Sequence, residues 1–374
     1  MTLKPPSTCL LRNYYPGLNE LRAVAALSVL LSHIEQMKDL AGLPSKYWFP
    51  IPGKLGVILF FALSGFLITS ILVGEKSVSG VVSLKTFYLK RVLRIWPLYF
   101  LTVGLSLLVI NRLTPFQVPM LSELAYRRLD PGSILLLLLI LPNYVEIFIP
   151  YLTQIWSIGI EEQFYLVQPC VVKFCRSEKA LTWILAVAVF SREIFLQVNK
   201  FVQLPLLHDI ANQSVYSGCI AIGCLGALLC KTHGELVTRT LHHVAAQIAA
   251  VVIFVLLLIP IATYKDAALV DYRIHALLFI VIIINAATNP LSRCNLNSRV
   301  LDYIGKISYG IYMYHEFGIG CAIALIREYC RYVTSYTVLQ AAVYSISLLI
   351  TLAVSDLSYR LFEKYFLELK NRLT

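Results

Sequence analysis

The chain has 374 residues, of which 58% are apolar against a usual 45–50% and 14% are charged against a usual quarter. Such a composition excludes an ordinary water-soluble enzyme. The 32 Lys and Arg exceed the 21 Asp and Glu, giving a net charge of +11. No long basic run and no basic segment interleaved with aromatics accompanies that excess, so no nucleic-acid partner is expected. Cations gathered in the cytoplasmic loops of a membrane protein account for it better.

Apolar stretches predict spans at about 20–36, 55–73, 95–111, 156–172, 180–198, 211–230, 244–263, 273–288, 304–326 and 336–357. The run from Ile134 to Leu141, bracketed by Asp130-Pro131-Gly132 and Pro142-Asn143, is too short to cross and reads as a re-entrant or interfacial segment. With both termini inside, 20 cations fall in cytoplasmic segments and 12 on the far side, and counting 134–141 as a span reverses much of that bias. The predicted fold is therefore an all-α polytopic membrane protein with about ten transmembrane helices, N- and C-termini cytoplasmic, and the lipid bilayer as its medium.

The first 17 residues carry two charges and three prolines but no apolar stretch, so the first helix is expected to act as the targeting signal. Nine cysteines, Cys9, Cys170, Cys175, Cys219, Cys224, Cys230, Cys294, Cys321 and Cys330, show no CxxC and no zinc-site spacing. They read as small lipid- or core-facing residues, and no metal is expected. No internal repeat is visible, and residues 1–374 read as one membrane domain with its core at about 17–357 and no appended soluble domain.

An ionisable group near the bilayer centre costs at least about 2.5–3.5 kcal/mol, so spans that carry such groups locate function. In the first span Arg22 and His33 are eleven positions apart, which puts them within about 20° around the helix and about 16 Å along it. A lone His in a helix is commonly a structural hydrogen-bonding residue, but its depth and its alignment with an arginine favour a functional one. Next comes Phe87-Tyr88-Leu89-Lys90-Arg91-Val92-Leu93-Arg94-Ile95-Trp96-Pro97. Arg91 and Arg94 share a helix face and offer two guanidinium forks to a phosphate or carboxylate, with Pro97 able to open the helix beside them. A positive-inside anchor stripe is the alternative. In Trp156-Ser157-Ile158-Gly159-Ile160-Glu161-Glu162-Gln163-Phe164-Tyr165, the residues Ser157, Glu161, Tyr165 and Gln168 form a polar stripe, while Glu162 points about 100° away. A carboxylate there can orient a histidine or pair with an arginine. Phe60-Phe61-Ala62-Leu63-Ser64-Gly65-Phe66 suits close helix packing at Gly65. Tyr309, Tyr312 and His315 follow three apart, lining a cavity or forming an interfacial tyrosine belt.

These five stretches, taken in chain order over about residues 17–357, resemble the acyltransferase 3 family of integral membrane O-acyltransferases. The resemblance implies transfer of an acyl group, commonly acetyl, to a hydroxyl of a carbohydrate such as lipopolysaccharide O-antigen, exopolysaccharide, peptidoglycan or a lipid-linked sugar. Some relatives acylate macrolides instead. It implies that His33 is the catalytic histidine, that Arg22 belongs with it, and that Arg91 and Arg94 are the arginine pair of the third helix. Two departures stand out: Gly56-Val57-Ile58-Leu59 replaces a stretch in which relatives often carry an Asp, and no hydrolase-like domain follows the tenth span, which favours direct transfer within the membrane domain.

The chemistry of the residues agrees. An alcohol attacking a thioester must lose its proton, which a neutral imidazole can accept, and an acylated histidine is the competing route. The expected catalytic residues are His33, Glu161 and Glu162. The expected substrate- or donor-binding residues are Arg22, Arg91, Arg94, Tyr165, Ser64, Tyr309 and His315. No permanently bound cofactor is expected; acyl-CoA, with acetyl-CoA favoured, is the co-substrate and a glycan the acceptor. The expected location is the cell membrane, the inner one in a Gram-negative organism. A proton-coupled transporter or flippase using the same groups is the rival, though transporters more readily show internal repeats.

Overall fold

A computed structural model describes residues 15, 17–43, 53–109, 113, 130–264, 270–292, 297–330 and 335–372. The described residues are helical, with no strand among them. In chain order the helices are α1 (Leu18–Leu40), α2 (Gly53–Ser79), α3 (Leu84–Leu108), α4 (Pro131–Leu138), α5 (Trp156–Phe174), α6 (Glu178–Val189), α7 (Ser191–Val202), α8 (Pro205–Thr232), α9 (Gly234–Thr240), α10 (Val244–Tyr264), α11 (Tyr272–Thr288), α12 (Arg299–Lys306), α13 (Ser308–Tyr329), α14 (Tyr336–Ser358) and α15 (Lys364–Asn371). Short 3-10 turns cover Pro142–Tyr144 and Thr153–Ile155, and a π-turn over Tyr359–Glu363 joins α14 to α15. The stretch 114–129 expected on the far side, and Cys9 and Cys294, lie outside the described residues.

Among the described residues each predicted span falls on helix apart from the end of the one expected at 95–111, where α3 stops at Leu108, and two others differ in detail. The span expected at 180–198 is two helices, α6 and α7, meeting at 60°. The one expected at 304–326 starts in α12 and restarts in α13 after Ile307. The helix α3 runs without a break through Pro97. Where Pro97 was expected to open the helix, the i→i−4 bond it forfeits is a local loss that flanking turns absorb. The segment near 134–141 forms the eight-residue α4, capped by Asp130, whose side chain accepts the Ser133 amide at 2.9 Å and the Ser133 hydroxyl at 2.5 Å.

The chain divides into two compact units. The first comprises residues 1–25, 54–84 and 160–305. Its centre is a close crossing of α2 and α8: a Cβ on Gly65 would strike the Ile220 carbonyl oxygen, and one on Gly223 would strike that of Ala62. Small residues let the two backbones meet, as in membrane helix pairs. At one end of this unit the Lys76 ammonium caps the C-terminus of α5, donating to the carbonyls of Val172 at 2.6 Å, Lys173 at 3.2 Å and Cys175 at 2.6 Å. Lys231, from the end of α8, joins Ser77 at 2.6 Å and Glu178 at 2.7 Å.

The second unit comprises residues 26–53, 85–159 and 306–374. Here α13 packs along α14, with Gly318 seated against Thr351. Tyr99 of α3 is fully buried and donates to the Leu137 carbonyl at 3.0 Å, which fixes α4.

Among the described residues, four helices or helix runs are long and apolar enough to cross a membrane: Gly53–Ser79, Leu84–Leu108, Pro205–Thr232 and Tyr336–Asn371. Two bent pairs, Glu178–Val189 with Ser191–Val202 and Gly234–Thr240 with Val244–Ile259, raise that to six.

Candidate active site

Helix α1 forms because its Leu- and Ala-rich sequence favours helix, with Glu20 in the first turn and Lys38 in the last matching the dipole. It carries Arg22 and His33, both half-buried, and Arg22 falls in the first unit while His33 falls in the second. His33 Nδ1 lies 2.5 Å from Nε2 of His315, a fully buried residue of α13. The two rings are parallel to within 4°, with centroids 4.7 Å apart. Nδ1 of His315 in turn lies 2.8 Å from the Tyr312 carbonyl oxygen.

Beside the histidine pair, the buried Glu316 accepts from the Thr153 hydroxyl through one carboxylate oxygen and from the Thr153 amide at 3.4 Å through the other. His33, His315 and Glu316 each bring one potential ligand atom within 4.8 Å of the others. The turn 153–155 is locked to α13 at two more points: the Gln154 amide donates to the Met313 carbonyl at 3.0 Å, and the Tyr312 hydroxyl donates to the Gln154 carbonyl at 2.9 Å. Ser157 Oγ completes the arrangement 2.7 Å from the Tyr312 hydroxyl.

The remaining predicted site residues form separate groups. In the first unit Glu161 accepts from Ser64 at 2.9 Å and from Tyr165 at 3.2 Å, and one turn further on Gln168 donates to Thr69 at 3.2 Å. Three members of the expected polar stripe, Glu161, Tyr165 and Gln168, are thus answered by hydroxyls of α2 and of α5 itself, while Ser157 bonds to Tyr312 in the second unit. Glu162 is half-buried on α5. In the second unit Arg91 lies over the Phe87 ring at 5.6 Å, and the charge of Arg94 acts on Glu363. Tyr309 donates to the Ile95 carbonyl at 2.8 Å, tying α13 to α3 at the residue that follows Arg94.

The acyltransferase domain family matches residues 15–360. The chain belongs to the acyltransferase 3 family. Two relatives, each an O-acetyltransferase OatA of Staphylococcus aureus, from strains NCTC 8325 and COL, are 27% identical over 374 residues. The alignments cover 94% of this chain and 57% of each relative, so the chain spans little more than half their length. No solved structure matches. Family membership and the apolar helices together make this a multi-pass membrane acyltransferase domain.

The sequence reading missed Glu316 and Thr153. Glu316 was legible, being an acid directly after His315 inside an otherwise apolar helix. Thr153 carried no signal, since only the tertiary fold brings it to Glu316.

Proposed function

We propose that the protein is a membrane O-acyltransferase that moves an acyl group, acetyl in the first instance, from acyl-CoA to a hydroxyl of a carbohydrate. The observation that carries this reading is the paired histidine. His33 is only half-buried, its Nδ1 is engaged by His315, and its Nε2 has no partner among the described residues, so one ring nitrogen is left to work on a substrate. In the step envisaged, that nitrogen takes the acceptor hydroxyl's proton, the oxygen bonds to the thioester carbonyl carbon, the C–S bond breaks, and the proton passes to the departing thiolate. The names of the OatA relatives support acetyl transfer to oxygen. Arg91 and Arg94 are the candidates for a donor phosphate, because a planar guanidinium fork matches phosphate oxygens.

Ten crossings with both termini inside remain the preferred arrangement. Besides the four apolar spans and two bent pairs, α1, α5 and α13 are long enough to cross but too polar to meet the same criterion, and the apolar α11 supplies the tenth. The contacts of Lys76 support the parity, since they join the ends of α2 and α5 on one side and leave α3 and α5 as the crossings between them. Mass spectrometry of glycans from cells with and without the protein is the direct test. Acyl esters that vanish with the protein and return with it are expected; an unchanged ester profile together with altered solute uptake would favour a transporter.

A further inference from the structure

We infer that His315 is a positioning residue that fixes which nitrogen of His33 accepts the substrate proton. The inference rests on His33 being the base proposed above. A backbone carbonyl can only accept, so the contact of His315 Nδ1 with the Tyr312 oxygen at 2.8 Å puts the proton of His315 on Nδ1 and leaves Nε2 bare. That bare nitrogen faces His33 Nδ1 at 2.5 Å and must accept from it. His33 is therefore the Nδ1–H tautomer, with its lone pair on Nε2. Left without such a partner, a neutral imidazole is free to carry its proton on either nitrogen.

The ring geometry supports a shared proton. The centroid separation of 4.7 Å is about the N···N distance plus the two ring radii, and the planes differ by 4°, so the rings lie edge to edge in one plane with the two nitrogens on the line between them. The same residues with Glu316 form a possible cation-ligand set. A zinc ion about 2.0–2.1 Å from each imidazole in a tetrahedral site needs the nitrogens more than about 3 Å apart, with lone pairs converging on the metal. Nitrogens that face each other along one line suit a proton between them better than a cation, whose ligand lone pairs would converge on it.

The carbonyl that starts this chain is itself held. Tyr312 is pinned through its hydroxyl to Gln154 and Ser157, and the next residue, Met313, accepts from the Gln154 amide. During transfer the Nδ1 proton stays between the two rings while Nε2 takes the acceptor's proton and returns it to the thiolate. The resulting imidazolium shares its charge with His315, and the Glu316 carboxylate lies within 4.8 Å. His315 thus does for His33 what the third member of a hydrolytic triad does for its histidine.

The test uses the full chain, 15N-labelled at its seven histidines, in lipid nanodiscs. The His33 signals, identified by their loss in His33→Gln, should show a protonated Nδ1 and a bare Nε2. His315→Leu should let the proton pass to Nε2, so that an Nε2–H signal appears, and lower kcat for acetyl transfer from acetyl-CoA several-fold, with KM for donor and acceptor little changed. His315→Gln, whose amide oxygen can still accept, should retain the tautomer and recover most of kcat. A protonated Nε2 in the wild type overturns the inference whether or not the variants fold. So does full turnover by His315→Leu, or turnover that chelators abolish and zinc restores. Full turnover by His33→Gln would instead sink the catalytic reading while leaving the tautomer readable.

Discussion

His33 and Lys38 lie five positions apart on α1, within one unit of the fold, and the two polar sites they build differ in kind. Lys38 is closed. Its ammonium donates to both Glu35 oxygens at 3.0 and 3.1 Å and to Gln340 at 2.5 Å, while Tyr344 donates to Glu35 at 2.6 Å, with Lys38, Glu35 and Gln340 fully buried. His33 is half-exposed and keeps one ring nitrogen without a partner among the described residues. A buried polar group whose capacity is fully used holds helices in register, whereas one with capacity left over on an accessible atom can do chemistry. Position in a membrane helix does not distinguish the two; the count of unused donors and acceptors does.

The largest expected effect that would break this contrast is on stability. Lys38→Met leaves Glu35 buried without its cation and should cost about 3–5 kcal/mol, seen as a lowered unfolding midpoint in detergent. A double variant with Glu35→Leu should recover most of that loss. If Lys38→Met were as stable as wild type but inactive, the pair would belong to the chemistry and the contrast would fail.

A smaller effect is expected at the donor. Arg91→Lys keeps the charge but loses the planar fork, and forfeiting one charge-assisted hydrogen bond of about 1.5–3 kcal/mol should raise the acetyl-CoA KM about tenfold or more with kcat held. An unchanged KM would reduce Arg91 to an anchor lying over Phe87.

The smallest effect concerns Asp130 at the start of α4. Hydrogen bonds from the Ser133 hydroxyl, and then from its amide, hold this carboxyl below its ordinary value. Because the folded-state value is depressed, the cap's contribution is complete above the unfolded carboxylate value of about 3.9 and is lost as pH falls through the folded one. Hydrogen exchange at the first amides of α4 should quicken in that acid range in the wild type. In Asp130→Ala it should be fast at all pH values. Identical pH profiles in the two would rule out the cap.

Much of this was legible in the sequence. The apolar runs located the helices, because burial in lipid demands long uninterrupted segments, and eight residues marked α4 as too short to cross. Arg22, His33, Glu161 and His315 stood out as polar groups in apolar runs. The closed pair on α1 did not, because the span was expected to end at 36, between Glu35 and Lys38. The pairing of His33 with His315, the link from Glu316 to Thr153 and the reach of Gln340 to Lys38 connect residues 163 to 302 positions apart, and no local pattern encodes them. The break between α6 and α7 likewise has no proline or glycine to announce it.

The central claim is that His33 performs the proton transfer. It is tested most directly by measuring acetyl transfer from acetyl-CoA to a glycan acceptor by purified, folded His33→Gln beside wild type. An amide cannot take the hydroxyl's proton, so turnover should fall by about 10²–10⁴-fold with the unfolding midpoint little changed. Turnover within a few-fold of wild type would contradict the account.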